Sequence, residues 1–213
     1  MSNMRKSILT VFLFILCSFR ISPLNEADNQ VMKIADSQMG TYLAKIEPGD
    51  EAKYGFTDKD DLDGCVVGRP YRIIEFNRDF YNNALTDNTS YIDIKNKWLV
   101  PISLNHQYKA MLTVTGNPGN LQVTSMGEVA LAKEIQLMSV DADENDELYL
   151  LKVPALSTDF YVHEGNNSFS EAKFIPLENA EKAIPSLSAS KEYYTLAEIQ
   201  VIVKAAVEKQ EKK

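Results

Sequence analysis

Apolar residues near the start of the chain recur at helical spacing. Over residues 28–46 they return every three or four positions, with charged and amide side chains between them. This period predicts an amphipathic helix with one buried face. Pro48 and Gly49 cannot continue a helix, so it should end before them. The apolar positions are Val31, Ile34, Ala35, Met39, Tyr42, Leu43 and Ile46.

Two central stretches alternate between apolar and polar positions, which predicts a pair of strands joined by a turn. Pro101 lies within the first of them. Because proline has no amide hydrogen, that strand is expected at a sheet edge or with a bulge there. In chain order we predict a strand at 71–76, strands at 98–104 and 108–114 joined by a turn at 105–107, and a turn at 117–120 before a short strand at 121–124.

Two sequence pairs have the spacing of a capping box, in which a hydroxyl and a carboxylate satisfy free amides at a helix start. Ser125 with Glu128 predicts a short helix from Glu128 to about Met138. Thr195 with Glu198 predicts a C-terminal helix, whose apolar stripe indicates that it packs on the rest of the fold.

The acidic run at 141–147 is the expected boundary between two parts of the chain. We therefore expect an α+β fold. Residues 28–140 should form an N-terminal helix packed on an antiparallel sheet, and residues 141–213 a smaller strand-rich segment with a C-terminal helix. The strands expected in that segment are 148–153, 159–163 and 173–177.

The first residues have the layout of an export signal. Basic Arg5 and Lys6 precede an apolar run that ends at Cys17. A run of about ten residues is too short to span a bilayer, which takes roughly 20. We expect residues 1–18 to be a signal peptide and the protein to be secreted or periplasmic. No later stretch is apolar enough to be a transmembrane segment. Lipid anchoring through Cys17 is the alternative, although Leu16 departs from the small residue usual before a lipidated cysteine.

Charge and composition exclude several classes of function. The 213-residue chain has a formal net charge of −8, with 45% hydrophobic and 24% charged residues. Such a chain can form a core, but it repels phosphate backbones and anionic membranes, so we expect no nucleic-acid partner. After removal of the signal, Cys65 is the one remaining cysteine, and the default interpretation is a buried thiol.

Two acidic clusters and one histidine are candidate metal sites. Asp141, Asp143 and Asn145 alternate as in a calcium loop, but Asp146 replaces the turn glycine and Lys152 replaces the bidentate glutamate. A solvated turn is the favoured interpretation. The cluster of Asp58, Asp60, Asp61 and Asp63 is interrupted by Lys59, and His163 lacks a second histidine four residues later. We predict no metal and no cofactor.

No catalytic signature is present. The chain has no nucleophile elbow, phosphate-binding loop or dinucleotide fingerprint. Cys65 paired with His106 or His163 could act as thiolate and base, although no local motif supports it. We therefore predict that the protein is not an enzyme. The competing hypothesis is a hydrolase whose carboxylates lie on separate strands.

Aromatic residues lie on or beside the predicted sheet, where they fill a core more often than they anchor a partner. Trp98 is the one tryptophan, and Tyr108 follows the turn that holds His106. If the protein binds a partner, these three residues are the expected contacts.

Four phrases of the sequence resemble a family of uncharacterised exported bacterial proteins and, more distantly, the inhibitory prosegments of streptopain-type cysteine peptidases. The resemblance covers about residues 28–138 and implies a cystatin-like fold, in which a sheet wraps around a helix. It carries no functional residue with it. The phrases are Tyr54-Gly55-Phe56, Gly68-Arg69-Pro70-Tyr71-Arg72, Trp98-Leu99-Val100-Pro101 and Ala110-Met111-Leu112-Thr113-Val114.

These observations favour an exported, non-catalytic protein-binding module of the bacterial cell envelope or exterior. The alternatives are an inhibitor or prosegment-like partner of a secreted cysteine peptidase, and the hydrolase above. For the inhibitor, the contact loops would be the turns at 105–107 and 117–120.

Overall fold

The computed structural model describes residues 26–57, 60, 62–82, 89–138, 147–165, 168–187 and 191–211. The predicted signal peptide with Cys17, the calcium-like run at 141–146 and part of the acidic cluster at 58–63 lie outside these residues. The helices are α1 (Glu26–Leu43), α2 (Arg78–Asn82), α3 (Val129–Met138), α4 (Glu178–Ala183) and α5 (Leu196–Glu211). The strands are β1 (Val66–Val67), β2 (Tyr71–Phe76), β3 (Ile92–Leu104), β4 (Gln107–Thr115), β5 (Gln122–Gly127), β6 (Leu148–Val153), β7 (Thr158–Gly165) and β8 (Ser168–Pro176).

All described strands belong to one sheet, in the order β5-β4-β3-β2-β6-β7-β8, with β1 beside β3. The strands form two antiparallel meanders, and β2 and β6 join them as a parallel pair. Ile73, Ile74, Leu150 and Leu151 at this junction are fully buried, as expected for strands covered on both faces. The two parts of the chain expected from the sequence therefore share one continuous sheet. The α+β class is as predicted.

Helices cover both faces of this sheet. The register places Arg72, Trp98 and Tyr149 in one row across β3, β2 and β6. Trp98 packs in the core beneath α1, and Tyr149 packs in the core beneath α5, so these two helices share a face. The opposite face carries α3, which packs on β4. Its Leu131, Ala132 and Ile135 share one buried core with Met111, Tyr71 and Leu150.

The expectation that Pro101 lies at an edge is wrong, because β3 lies between β4 and β2 with β1 beside it. Pro101 is buried, and its carbonyl accepts a hydrogen bond from the Gly68 amide at 2.8 Å. The Pro101 nitrogen therefore faces the break between β1 and β2, where no strand requires a hydrogen bond from it. The other alternative, a bulge, agrees with the register shift that follows between Ile102 and Ser103.

Of the two predicted capping boxes, one is confirmed. The Thr195 amide donates to Glu198 Oε2 at 2.9 Å, and the Glu198 amide donates to Thr195 Oγ1 at 3.4 Å. The box at Ser125 is wrong, because Ser125 lies inside β5 opposite Thr113. Glu128 has a left-handed backbone with φ of 55°, and α3 starts after it.

Both outer strands have backbone groups that are hydrogen-bonded to other parts of the chain. Gln38 Oε1 accepts from the Val123 amide at 3.1 Å, and the Tyr42 hydroxyl donates to the Val123 carbonyl at 2.7 Å. On the far edge, Tyr194 and Phe174 exchange two backbone hydrogen bonds. These contacts occupy positions where another chain could pair, which protects sheets from edge-to-edge aggregation.

We predict that Tyr42→Phe lowers the free energy of unfolding by about 1 kcal/mol, because the Val123 carbonyl loses its donor at a partly buried edge. Urea denaturation measures the change. Tyr81→Phe is the matched control, since it removes a hydroxyl from a half-buried ring in the other half of the molecule. Equal destabilisation by both variants would contradict the assigned role of Tyr42.

Candidate functional site

The turn between β3 and β4 holds an unusual residue. Leu104 pairs with Gln107, so the turn has two central residues, Asn105 and His106, with φ of 51° and 62°. Positive φ at both positions defines a type I′ turn, for which Asn-Gly is the preferred sequence. Glycine adopts this conformation without steric cost, whereas a residue with a Cβ atom such as His106 is strained there by roughly 1 kcal/mol.

Gln136 of α3 holds this turn on both sides. Its Nε2 donates to the His106 carbonyl at 2.7 Å, and its Oε1 accepts from the Tyr108 amide at 2.9 Å. A side-chain amide carries a donor and an acceptor, so one residue satisfies both backbone groups. The hairpin tip is thereby fixed to α3.

Exposed apolar residues lie beside the tip. Val66 of β1 pairs with Ser103, which pairs with Tyr108, so the three form one cross-strand row. Val66 is 58% exposed, and Leu137, which follows Gln136, is 77% exposed. Tyr108 is half-buried and packs on the core beneath α3. We call Val66, His106, Tyr108 and Leu137 the hairpin surface.

Of the three residues predicted from the sequence as partner contacts, the structure brings together His106 and Tyr108. Trp98 is 1% exposed and lies in the core beneath α1, opposite Val114 toward the other end of β4. Its ring is inaccessible to a partner in this conformation. Sequence reasoning did not identify Val66, Leu137 or Gln136. The sequence pattern could have indicated that Leu137 is exposed, because it lies off the apolar stripe of α3.

A second polar arrangement lies on the face that α1 and α5 share. Trp98 Nε1 donates to Asp28 Oδ1 at 3.2 Å, and the Arg72 guanidinium lies 5.2 Å from the centre of the Trp98 ring. Burial, and then the negative charge of Glu147, raise the pKa of Asp28 from 3.8 to about 6. The Trp98 hydrogen bond and the charges of Arg72 and Arg69 oppose this rise. We call Asp28, Arg69, Arg72, Trp98 and Glu147 the polar seam.

The carboxylate of Glu134 bears on the hydrolase hypothesis. Glu134 Oε1 accepts from the Glu178 amide at 2.6 Å, which connects α3 to the start of α4. Burial raises the pKa of Glu134, and the charges of Glu178, Glu181 and Asp159 add to the rise. The bond satisfies a free amide at a helix start, so Glu134 has a structural role that accounts for its position.

The remaining candidates from the sequence are separated in the fold. Cys65 is 7% exposed and lies in the core beneath α1, as expected for a buried thiol. His163 is on β7, opposite Leu148 and Lys173, and His106 is at the hairpin tip. Asp60 contacts Lys109 across 3.7 Å. Within the described residues, no three His, Cys, Asp or Glu side chains are grouped to hold a metal ion.

The described helices include none with both the length and the apolar character needed to cross a membrane. No family model matches the chain, and no curated protein or solved structure matches it either.

We predict that Gln136→Ala accelerates hydrogen exchange of the Tyr108 amide by up to about tenfold, because a net hydrogen bond of up to about 1.4 kcal/mol corresponds to that factor. Gln136→Glu keeps the acceptor for this amide and loses the donor to His106, so its effect at Tyr108 should be smaller. NMR exchange measurements report both.

Lys133→Ala, on an exposed position of the same helix, is the control for a change in helix stability. Equal acceleration at Tyr108 in the Lys133 and Gln136 variants would show that Gln136 does not hold the turn.

Proposed function

We propose that this chain is an exported, non-catalytic protein-binding module of the bacterial cell envelope or exterior, and that the hairpin surface contacts its partner. The observation that carries the proposal is a strained histidine at the tip of a hairpin fixed by Gln136. The rigidity and exposure of the hairpin also support it, as does the export-type pattern of residues 1–18.

The strain at this exposed turn favours a functional role for His106, because the strain lowers the stability of the fold. A glycine at position 106 would adopt the observed φ without steric cost. Residues held in strained backbone conformations cluster at binding and catalytic sites. His106 supplies an imidazole that donates and accepts hydrogen bonds. The bonds of Gln136 with the His106 carbonyl and the Tyr108 amide fix the backbone of the turn. A fixed loop loses little conformational entropy on binding, which favours affinity.

The chemistry of the hairpin surface suits a protein partner. Val66 and Leu137 offer exposed apolar area, and Tyr108 and His106 combine apolar rings with polar tips. A stable interface buries about 800 Å² on each side, so these residues would form the centre of a larger contact. The net charge of −8 argues against nucleic acid as the partner.

Inhibition of a secreted cysteine peptidase is the second candidate, because a rigid hairpin is suited to fill an active-site cleft. The loop at 117–120 was the other contact expected for an inhibitor. It lies at the opposite end of β4, nine residues or about 30 Å from the tip, so both loops cannot enter one cleft. The hairpin is favoured, because apolar residues flank it.

We predict that His106→Gly raises the free energy of unfolding by up to about 1 kcal/mol, because Asn-Gly is the preferred type I′ sequence. The same variant should lose partner binding, because it removes the imidazole. The opposite signs exclude unfolding as the cause of lost binding. Urea denaturation and a binding assay test the two halves.

The binding assay is a pull-down from the envelope fraction of the source organism with the mature chain. Pro118→Ala, in the loop at the opposite end of β4, is the matched control and should capture the same protein as the wild type. Capture that is retained by His106→Gly would reject the hairpin surface as the contact. Secreted cysteine peptidases assayed with the same three proteins test the inhibitor hypothesis.

The hydrolase hypothesis predicts that the purified chain turns over substrates from a panel of glycosides and esters. Activity that Glu134→Gln abolishes while leaving the melting temperature unchanged would replace the binding proposal. No turnover, together with His106-dependent capture, would support it.

A further inference from the structure

The sheet has a third edge, at β1. Among the described strands β1 pairs with β3 alone, and it lies on the same side of β3 as β2, because β4 occupies the other side. The outer strands β5 and β8 each have backbone groups hydrogen-bonded to other parts of the chain. The side of β1 that faces away from β3 has no such contact within the described residues.

The backbone of Val67 points out of this edge. In an antiparallel ladder, hydrogen-bonded pairs alternate with pairs whose backbone groups face outward. The Gly68 amide donates to the Pro101 carbonyl at 2.8 Å, so these two residues form a hydrogen-bonded pair. Val67 is next in the ladder, opposite Ile102, and its amide and carbonyl therefore point away from β3. Neither group has a hydrogen-bond partner in the part of the chain that the structure describes.

The side chains beside this edge are apolar and belong to the hairpin surface. Val66 is 58% exposed on the face that carries Tyr108 and α3, whereas Val67 is half-buried against the core beneath α1. Side chains alternate between the faces of a strand, so a strand added beside β1 places every second side chain next to Val66. A two-residue edge is too short to select a partner through its backbone alone, so the apolar side chains supply the rest of the contact.

We propose that the outer edge of β1 binds an extended segment of the protein partner, which adds a strand beside Val67 while its apolar side chains cover Val66 and the rest of the hairpin surface. The proposal rests on the function proposed above and specifies the class of partner. An extended peptide fits, because the amide and carbonyl of one residue match the acceptor and donor of Val67. A helix offers neither, because its backbone groups are bonded internally.

Solvent exchange of the Val67 amide, measured by NMR, tests the pairing. The probes are soluble capped peptides in which threonine alternates with valine, leucine or phenylalanine. In the free protein the Val67 amide should exchange like an unprotected amide, while the Val66 amide, which faces β3, is protected. With a peptide at about ten times its Kd, exchange at Val67 should slow about tenfold, because only the unbound protein exchanges.

Two results of this experiment overturn the proposal. One is unchanged exchange at Val67 with every peptide. The other is protection of Val67 in the free protein, because the edge is then already covered. Protection that rises with protein concentration would identify a second copy as the occupant, and protection independent of concentration would identify a segment of the same chain.

Methylation of the peptide nitrogens distinguishes backbone pairing from apolar contact alone. Successive amides of a strand point to opposite sides, so methyl groups on one alternate set of residues should abolish binding, and methyl groups on the other set should leave it. Equal binding of the two methylated peptides, or loss of both, overturns strand addition.

Variants of the two valines separate the roles of backbone and side chain. Val67→Pro removes the outward amide and should abolish peptide binding, and proline is tolerated at a strand edge where its nitrogen faces away from the ladder. Val66→Thr should weaken binding severalfold, because it removes apolar area. Val201→Thr, at a position of α5 that is 59% exposed, is the matched control and should bind like the wild type. Should Val67→Pro fail to fold by circular dichroism, the methylated peptides decide the question.

The pull-down with the mature chain separates strand addition from the function on which it rests. Capture that is lost in His106→Gly and retained in Val67→Pro would leave the hairpin surface as the contact and overturn strand addition. Capture retained in both variants would reject both proposals. Loss of capture in both variants, together with peptide binding that depends on Val67, is the result we expect.

Discussion

The parallel pairing of β2 with β6 is the contact on which the rest of the fold depends. Each of the other paired strands in the two meanders is close to its partner in sequence, whereas β2 and β6 are separated by more than 70 residues. Closing such a loop costs chain entropy before any contact compensates for it. The burial of Ile73, Ile74, Leu150 and Leu151 offsets that cost. Without this pair, the core beneath α3 would lose Leu148, Leu150 and Tyr161.

The same pairing explains why a polar seam exists inside an otherwise apolar layer. Joining the meanders brings Arg72, Trp98 and Tyr149 into one row, and it places α1 and α5 on the same face. The row lies where the cores beneath these two helices meet. Charged groups are tolerated there because they are paired or only half-buried, as the contacts of Arg72 and Glu147 show. The raised pKa of Asp28 follows from this position rather than from its local sequence.

Periodicity predicted the elements that depend on local pattern: α1, α5, the β3–β4 hairpin and the α+β class. It could not predict β1 or the parallel junction, because pairing between distant strands leaves no periodic signal. The prediction at Ser125 was wrong for a related reason. A hydroxyl and a carboxylate at capping-box spacing also fit a strand end, and only the pairing of Ser125 with Thr113 distinguishes the strand from the helix start. The site was predicted in part. His106 and Tyr108 follow from the turn, whereas the role of Gln136 depends on how α3 packs.

His106 and Asp28 share a property that local stability does not explain. Glycine would suit the turn better than His106, and a neutral side chain would suit the half-buried position of Asp28 better than a carboxylate. Natural sequences that agree with their fold at most levels break local rules mainly at functional sites. The two residues are at different places in the fold, one at an exposed tip and one beneath a helix. A single relaxed constraint therefore does not account for both. His106 lies in the proposed contact surface, and Asp28 supplies the acceptor that the buried indole of Trp98 requires.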